Sequence, residues 1–154
     1  MCEYCGCQAI PAIEELTREH DGIVDLIGEV RTARRCGDVG RMIELGRQIS
    51  VALGPHTVVE EQGLFPALAG EFPEQIAALE GEHRRIEAVL AEGDDGRASA
   101  DPTWPQRLIE VLTLLRVHIL KEQDGVFPAA LSILSNAQWE LLDSVRRSVN
   151  ANSL

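Results

Sequence analysis

Apolar residues recur at intervals of three and four along most of the chain, and alternating runs that would mark strands are scarce. Between Pro11 and about Arg35 the stripe is Ile13, Leu16, Ile23, Ile27 and Val30, with one gap of seven that His20 fills. Pro11 suits the first turn of a helix, and CGDVG at Cys36–Gly40 ends it. A second stretch, about Gly40 to Ala69, reads Met42, Leu45, Ile49, Ala52, His56, Glu60 and Gly63. A third, about Pro73 to Leu90, reads Ile76, Leu79, His83, Ile86 and Leu90. The fourth opens near Pro105 and reads Leu108, Leu112, Leu115, His118, Glu122 and Val126. The polar segment Glu92–Thr103 predicts an exposed loop. A fifth, shorter helix is expected from Asn136 to Val149, with Trp139, Leu142 and Val145 on one face.

The pattern predicts an all-α protein. Residues 11–134 should form an up-down-up-down four-helix bundle, residues 135–154 a C-terminal helix packed on it, and residues 1–10 a Cys-rich tail. At 154 residues the chain is long enough to bury a real core as one domain, and with so few aromatic residues that core must be aliphatic. A net charge of −11 argues against nucleic acid and anionic lipid as partners. No apolar run approaches the roughly 20 residues of a membrane span. The N-terminus lacks the basic and hydrophobic regions of a signal peptide, so a cytoplasmic location is expected. Oligomeric state is not legible.

Histidine changes the picture. The chain has four, one on each long helix, and each falls on the apolar stripe. Four independent core histidines would need four separate buried partners, because unpaired polar groups are costly inside. A shared metal would satisfy them together. The depths agree. In an up-down-up-down bundle His20, Glu60, His83 and Glu122 each lie nine or ten residues from the same end. His56 and His118 lie four residues deeper, about 6 Å.

The arrangement is doubled. HTVVEEQGLFPA at His56–Ala67 and HILKEQDGVFPA at His118–Ala129 align without a gap, and Glu19–His20 is matched by Glu82–His83. The chain therefore reads as two αα-hairpins related by an approximate two-fold, each bringing two His and one Glu to the middle. One His-x-x-x-Glu is weak, since such pairs are common on helices. Two, with two further core histidines at matching depth, define a candidate metal site: His20, His56, Glu60, His83, His118 and Glu122.

Imidazole with carboxylate suits iron, manganese or zinc. Six donors are too many for one tetrahedral zinc but fit two metals bridged by carboxylates. Ferritin-like bundles use two Glu-x-x-His elements, and only Glu80–His83 has that spacing here. The ordered set His … His-x-x-x-Glu … His … His-x-x-x-Glu resembles the hemerythrin-like, or HHE cation-binding, domain from about Ile10 to Leu134. That resemblance implies a non-haem centre of two iron ions, bridged by Glu60 and Glu122 and by an oxo or hydroxo group. His20, His56, His83 and His118 would be terminal ligands, with manganese or zinc less favoured.

The chain departs from the oxygen-carrying hemerythrins, which have His-x-x-x-His on the third helix and His-x-x-x-x-Asp on the fourth. The third-helix position here is Glu87 and the fourth-helix carboxylate is Glu122. Glu87 is either a ligand or a surface residue paired with Arg84 or Arg85. Glu61 is a weaker ligand candidate, set against a solvated helix face. A centre richer in carboxylate and poorer in imidazole favours the ferric state and leaves room for a small ligand. The expected function is binding, sensing or detoxification of O2, peroxide or nitric oxide, with catalase-like peroxide disproportionation as an enzymatic form. The alternatives are an iron- or oxygen-sensing module without turnover, and a metal-free helical interaction domain.

Two features stand apart. Cys2, Cys5 and Cys7 form C-x-x-C-x-C, a candidate redox or second metal site set against incidental thiols, and Tyr4 is a candidate oxygen ligand. Cys36 should lie about 35 Å away along the first helix, too far to join them. In the repeated Gly-x-Phe-Pro, proline should bend or end each helix, and Phe65 and Phe127 are assigned to core packing beside the site.

Overall fold

The computed structural model describes residues 8–152. Helix α1 (Ala9–Arg35) is followed by α2 (Val39–Val59), which runs through a π turn, π1 (Glu60–Leu64), into α3 (Phe65–Leu68). The second hairpin repeats this with α4 (Pro73–Asp94), the short α5 (Arg97–Ala100), α6 (Trp104–Lys121), π2 (Glu122–Val126) and α7 (Phe127–Ile133). Helix α8 (Asn136–Asn152) closes the chain. The long helices α1, α2, α4 and α6 pack edge to edge as the expected four-helix bundle, and α8 lies against α2 and π1. No described helix is long and apolar enough to cross a membrane.

The ends are set by local chemistry. Gly37 adopts a φ of 69° after α1, and the Asp38 carboxylate accepts from the Arg41 N–H to start α2. Ser135 and Gln138 exchange hydrogen bonds before α8, a reciprocal cap. The Glu92–Thr103 segment is not a plain loop. Ala98 of α5 is buried, and Arg107 binds both Glu92 and Asp101 across the connection.

One residue of the expected stripe moves. Ala52 is exposed and Leu53 is buried, so α2 faces inward with Ile49, Leu53, His56 and Glu60. Both choices step by three and four over the same stretch, and the larger side chain takes the interior place.

The apolar interior is in two parts. One cluster, around Ile23, Ile27, Leu45, Leu90 and Leu112, fills the far end of the bundle and is sealed by Trp104, whose indole N–H donates to the Val89 carbonyl. The other, around Leu16, Leu64, Phe65, Leu79, Phe127 and Trp139, fills the near end. Between them lies a layer of buried histidine and glutamate.

Candidate metal centre

His20 sits between Leu16 of the near cluster and Ile23 of the far one, and His83 sits likewise between Leu79 and Ile86. His56 and His118 take the same level on α2 and α6, and all four rings are 1% exposed. Glu60 and Glu122 are fully buried at the first residue of each π turn. The structure thus brings together all six residues that the sequence singles out.

Every Nε2 faces inward. Glu60 divides its oxygens: Oε2 lies 3.2 Å from His56 Nε2 and Oε1 lies 3.4 Å from His83 Nε2. Glu122 Oε1 lies 3.0 Å from His20 Nε2 and 3.4 Å from His118 Nε2. The donor atoms of His20, His56, Glu60 and Glu122 all lie within 4.8 Å of one another, and so do those of Glu60, His83, His118 and Glu122. The two groups share both carboxylates.

No protein hydrogen bond satisfies the middle. All four oxygens of Glu60 and Glu122, and Nε2 of His20 and His118, are buried without a hydrogen-bond partner. Two carboxylates so placed are costly unless a cation lies between them. The surroundings show the strain of that arrangement. Burial and the Glu60 charge push the Glu122 carboxyl well up, whereas burial of Glu60 is outweighed by the His56 charge together with its close contacts to Glu122, His56 and His83, which hold it well down. Burial and the His56 charge lower His20 to about 4; in His56 itself burial is outweighed by Glu60 and Glu19, which raise it to about 9. His118 is lowered by burial and by the charge of His83, and in His83 burial is outweighed by Glu60 and Glu61 together, which raise it. A metal cation held between the carboxylates would compete with protons for these same atoms.

Each ring is also held from behind. His56 Nδ1 donates to Glu19 at 3.0 Å and His118 Nδ1 to Glu82 at 2.9 Å. His83 Nδ1 donates to Glu61 at 2.7 Å and His20 Nδ1 to the Gln123 amide oxygen at 3.1 Å. These partners fix the tautomer with the Nε2 lone pair inward, as metal ligands require. The logic is two-fold: the residue before the histidine of one helix holds the histidine of the next, and the residue after Glu60 or Glu122 holds the histidine across the bundle. Cations back the carboxylates. Arg146 of α8 makes paired 2.8 Å bonds to Glu19, Lys121 lies 2.8 Å from Glu82, and Arg84 bonds Glu61.

The π turns explain the repeated Phe-Pro. The Phe65 N–H bonds to the Glu60 carbonyl and the Phe127 N–H to that of Glu122, one residue further back than in an α-helix. Each phenyl ring thereby comes round over a histidine: Phe65 stacks on His83 at 5.9 Å between centroids and Phe127 on His20 at 5.5 Å. Pro66 and Pro128 do not end their helices; they sit in the turn that follows the wide one. Ile23, Leu53 and Leu115 line the opposite side of the centre.

Several expectations resolve differently. Glu61 is neither among the clustered donors nor on a solvated face; it lies behind His83. Glu87 pairs with Arg84 at 3.4 Å on the surface, the second of its two alternatives. Cys36 is exposed at the end of α1. Cys2, Tyr4, Cys5 and Cys7 lie outside the described residues. The backing residues Glu19, Glu82, Gln123 and Arg146 had no role assigned from sequence. The doubled Glu-His dipeptide carried a signal for the first two, whereas Arg146 on a separate helix gave none.

Buried imidazoles and shared carboxylates in the middle of a four-helix bundle define a metal-binding helical protein. A model of the hemerythrin HHE cation-binding domain matches residues 11–130. The chain belongs to that family. No curated protein and no solved structure gives a significant match.

Proposed function

We propose that this protein holds two iron ions in the His–Glu layer and uses them to bind, sense or detoxify O2, peroxide or nitric oxide, with peroxide disproportionation as its enzymatic form. The observation that supports this most is the pair of buried carboxylates with no hydrogen-bond partner, shared between two sets of inward imidazoles. His20 and His56 would serve one ion, His83 and His118 the other, and Glu60 and Glu122 both. Four protein donors each leave positions for a small exogenous ligand. An iron pair, when bound, supplies two one-electron changes to that ligand. The chain's part is to place the imidazoles, fix their tautomers through the Nδ1 bonds, and keep the centre dry beneath Phe65, Phe127, Ile23, Leu53 and Leu115.

The test is metal analysis with an optical spectrum, after anaerobic loading with ferrous iron and exposure to air. Two irons per chain and a ferric charge-transfer band are expected; fewer than one iron per chain overturns the reading. Oxygen release from peroxide (2 H2O2 → 2 H2O + O2) should accompany loading and vanish in His118→Ala. Turnover indifferent to that change would remove the centre from the reaction.

One observation favours a sensing role beside it. The chain of bonds from His56 through Glu19 to Arg146 ties α8 to a proposed ligand. Amide exchange in α8 should slow on metal loading; unchanged exchange excludes α8 as the reporter.

A further inference from the structure

The two hairpins differ in what covers their outer seams. On the first, α8 lies over the seam between α1 and π1. A β-carbon on Gly63 would stand 3.0 Å from Leu142 Cα, and Trp139 and Leu142 are buried in the near cluster with Leu16 and Leu64. The doubled sequence rebuilds this seam on the second hairpin. Ile76 and Leu79 stand where the first has Ile13 and Leu16, and Gly125 and Ala129 where it has Gly63 and Ala67.

Among the described residues no helix covers that second seam. A β-carbon on Gly125 would meet nothing within 4 Å. Ile76, Leu79, Gly125 and Ala129 instead line an open, almost wholly apolar groove of about 530 Å³. The charge is inverted too. Over the first seam the cation that neutralises Glu19 arrives on α8, as Arg146. Over the second, Glu82 is neutralised from within the bundle by Lys121, which is 50% exposed and forms part of the groove wall. A helix entering here finds a cation to meet and no carboxylate left to neutralise.

We propose that this groove docks an amphipathic helix of a partner protein, seated as α8 is seated on the first hairpin. Its recognition features follow from those of α8. Two apolar side chains three residues apart, like Trp139 and Leu142, cover Gly125. An acidic side chain four residues further on, at the position of Arg146, faces Lys121.

The probe is a labelled synthetic peptide of residues 136–152 carrying Arg146→Glu, titrated into the full chain by fluorescence anisotropy. Saturable one-to-one binding is expected, with the unmodified peptide about threefold weaker because its arginine meets Lys121. Gly125→Leu fills the groove where there is open space, and Ala129→Lys places a charge on its wall. Each should abolish binding without lowering the thermal midpoint or the metal content. Binding indifferent to both changes overturns the proposal, as does no binding or equal affinity of the two peptides. Self-association of the chain that Gly125→Leu removes would give the groove to a second copy and overturn it. So would peptide binding that appears only after residues 1–7 are deleted, since the occupant would then be the chain's own N-terminus.

Discussion

The first hairpin holds His56 and Glu60 beneath a fifth helix; the second holds His118 and Glu122 beside an open groove. The six inward side chains are nearly superimposable in kind, but the layer behind them is not. Behind His56 stands Glu19 with a buried arginine, while behind His118 stands Glu82 with a half-exposed lysine. Behind His83 stands a carboxylate, Glu61, and behind His20 a neutral amide, Gln123. The repeated sequence accounts for the shared core, and the unequal cations go with α8, which covers one side only.

The largest expected effect strikes what the halves share. Glu122→Leu removes a donor common to both proposed metal positions, so bound metal should fall more than tenfold by elemental analysis. The metal-free protein should meanwhile gain about 1 kcal/mol in denaturant unfolding, because a buried carboxyl without a hydrogen-bond partner gives way to an apolar side chain. A mutant that keeps full metal would break the two-fold reading.

Next come the unequal cations. Arg146→Ala leaves Glu19 without its buried partner and should cost about 3 kcal/mol, whereas Lys121→Ala, at an exposed site, should cost less than about 1 kcal/mol. Equal losses would mean that the two halves are backed alike. The pH dependence sharpens this. Glu19 is held at about 2, since bonds from His56 and Arg146 outweigh the burial that would raise it from 4.5. A carboxyl depressed in the folded state contributes stability above its unfolded value and loses it as pH falls. Unfolding curves of wild type and Arg146→Ala should therefore differ most above pH 4.5 and converge as pH falls towards 2.

The glycines offer a smaller contrast. Gly63→Ala presses a β-carbon against the backbone of α8 and should cost about 2 kcal/mol. Gly125→Ala has open space and should stabilise by about 0.5–1 kcal/mol through helix propensity alone. Thermal midpoints of the two variants should move in opposite directions.

The smallest effect concerns the odd amide. Gln123→Glu gives His20 the anionic partner that the other three imidazoles already have, which should tighten the position served by His20 and His56 by about tenfold. Competition with a chelator should pass from two phases to one. Two phases in both proteins would locate the inequality elsewhere.

These contrasts also show which parts of the molecule were legible in the sequence. Helical period, the two-fold repeat and the six donors all lie along single helices, where spacing in the chain maps directly to position on a face. Glu19 and Glu82 were visible only as a repeated dipeptide, because each acts on the next helix rather than its own. Arg146 shares a face with Trp139 and Leu142, but its partner lies 127 residues earlier, a contact that only the folded chain creates. Ala52 was misplaced and Leu53 missed because intervals of three and four fit the same short stretch. The wide turns escaped because Gly-x-Phe-Pro suggested an interruption, when the backbone instead took in one extra residue and continued.

That extra residue works as a phase shifter. One residue advances an α-helix by about 100°, so a π turn delays everything beyond it by a comparable angle. Phe65 and Phe127 are aimed at imidazoles because the delay falls between them and the glutamates. Removing a single residue from 61–64 would leave His56 and Glu60 in place and swing the whole of α3 off its face. In each hairpin, the donors and their aromatic covers are set on two different clocks.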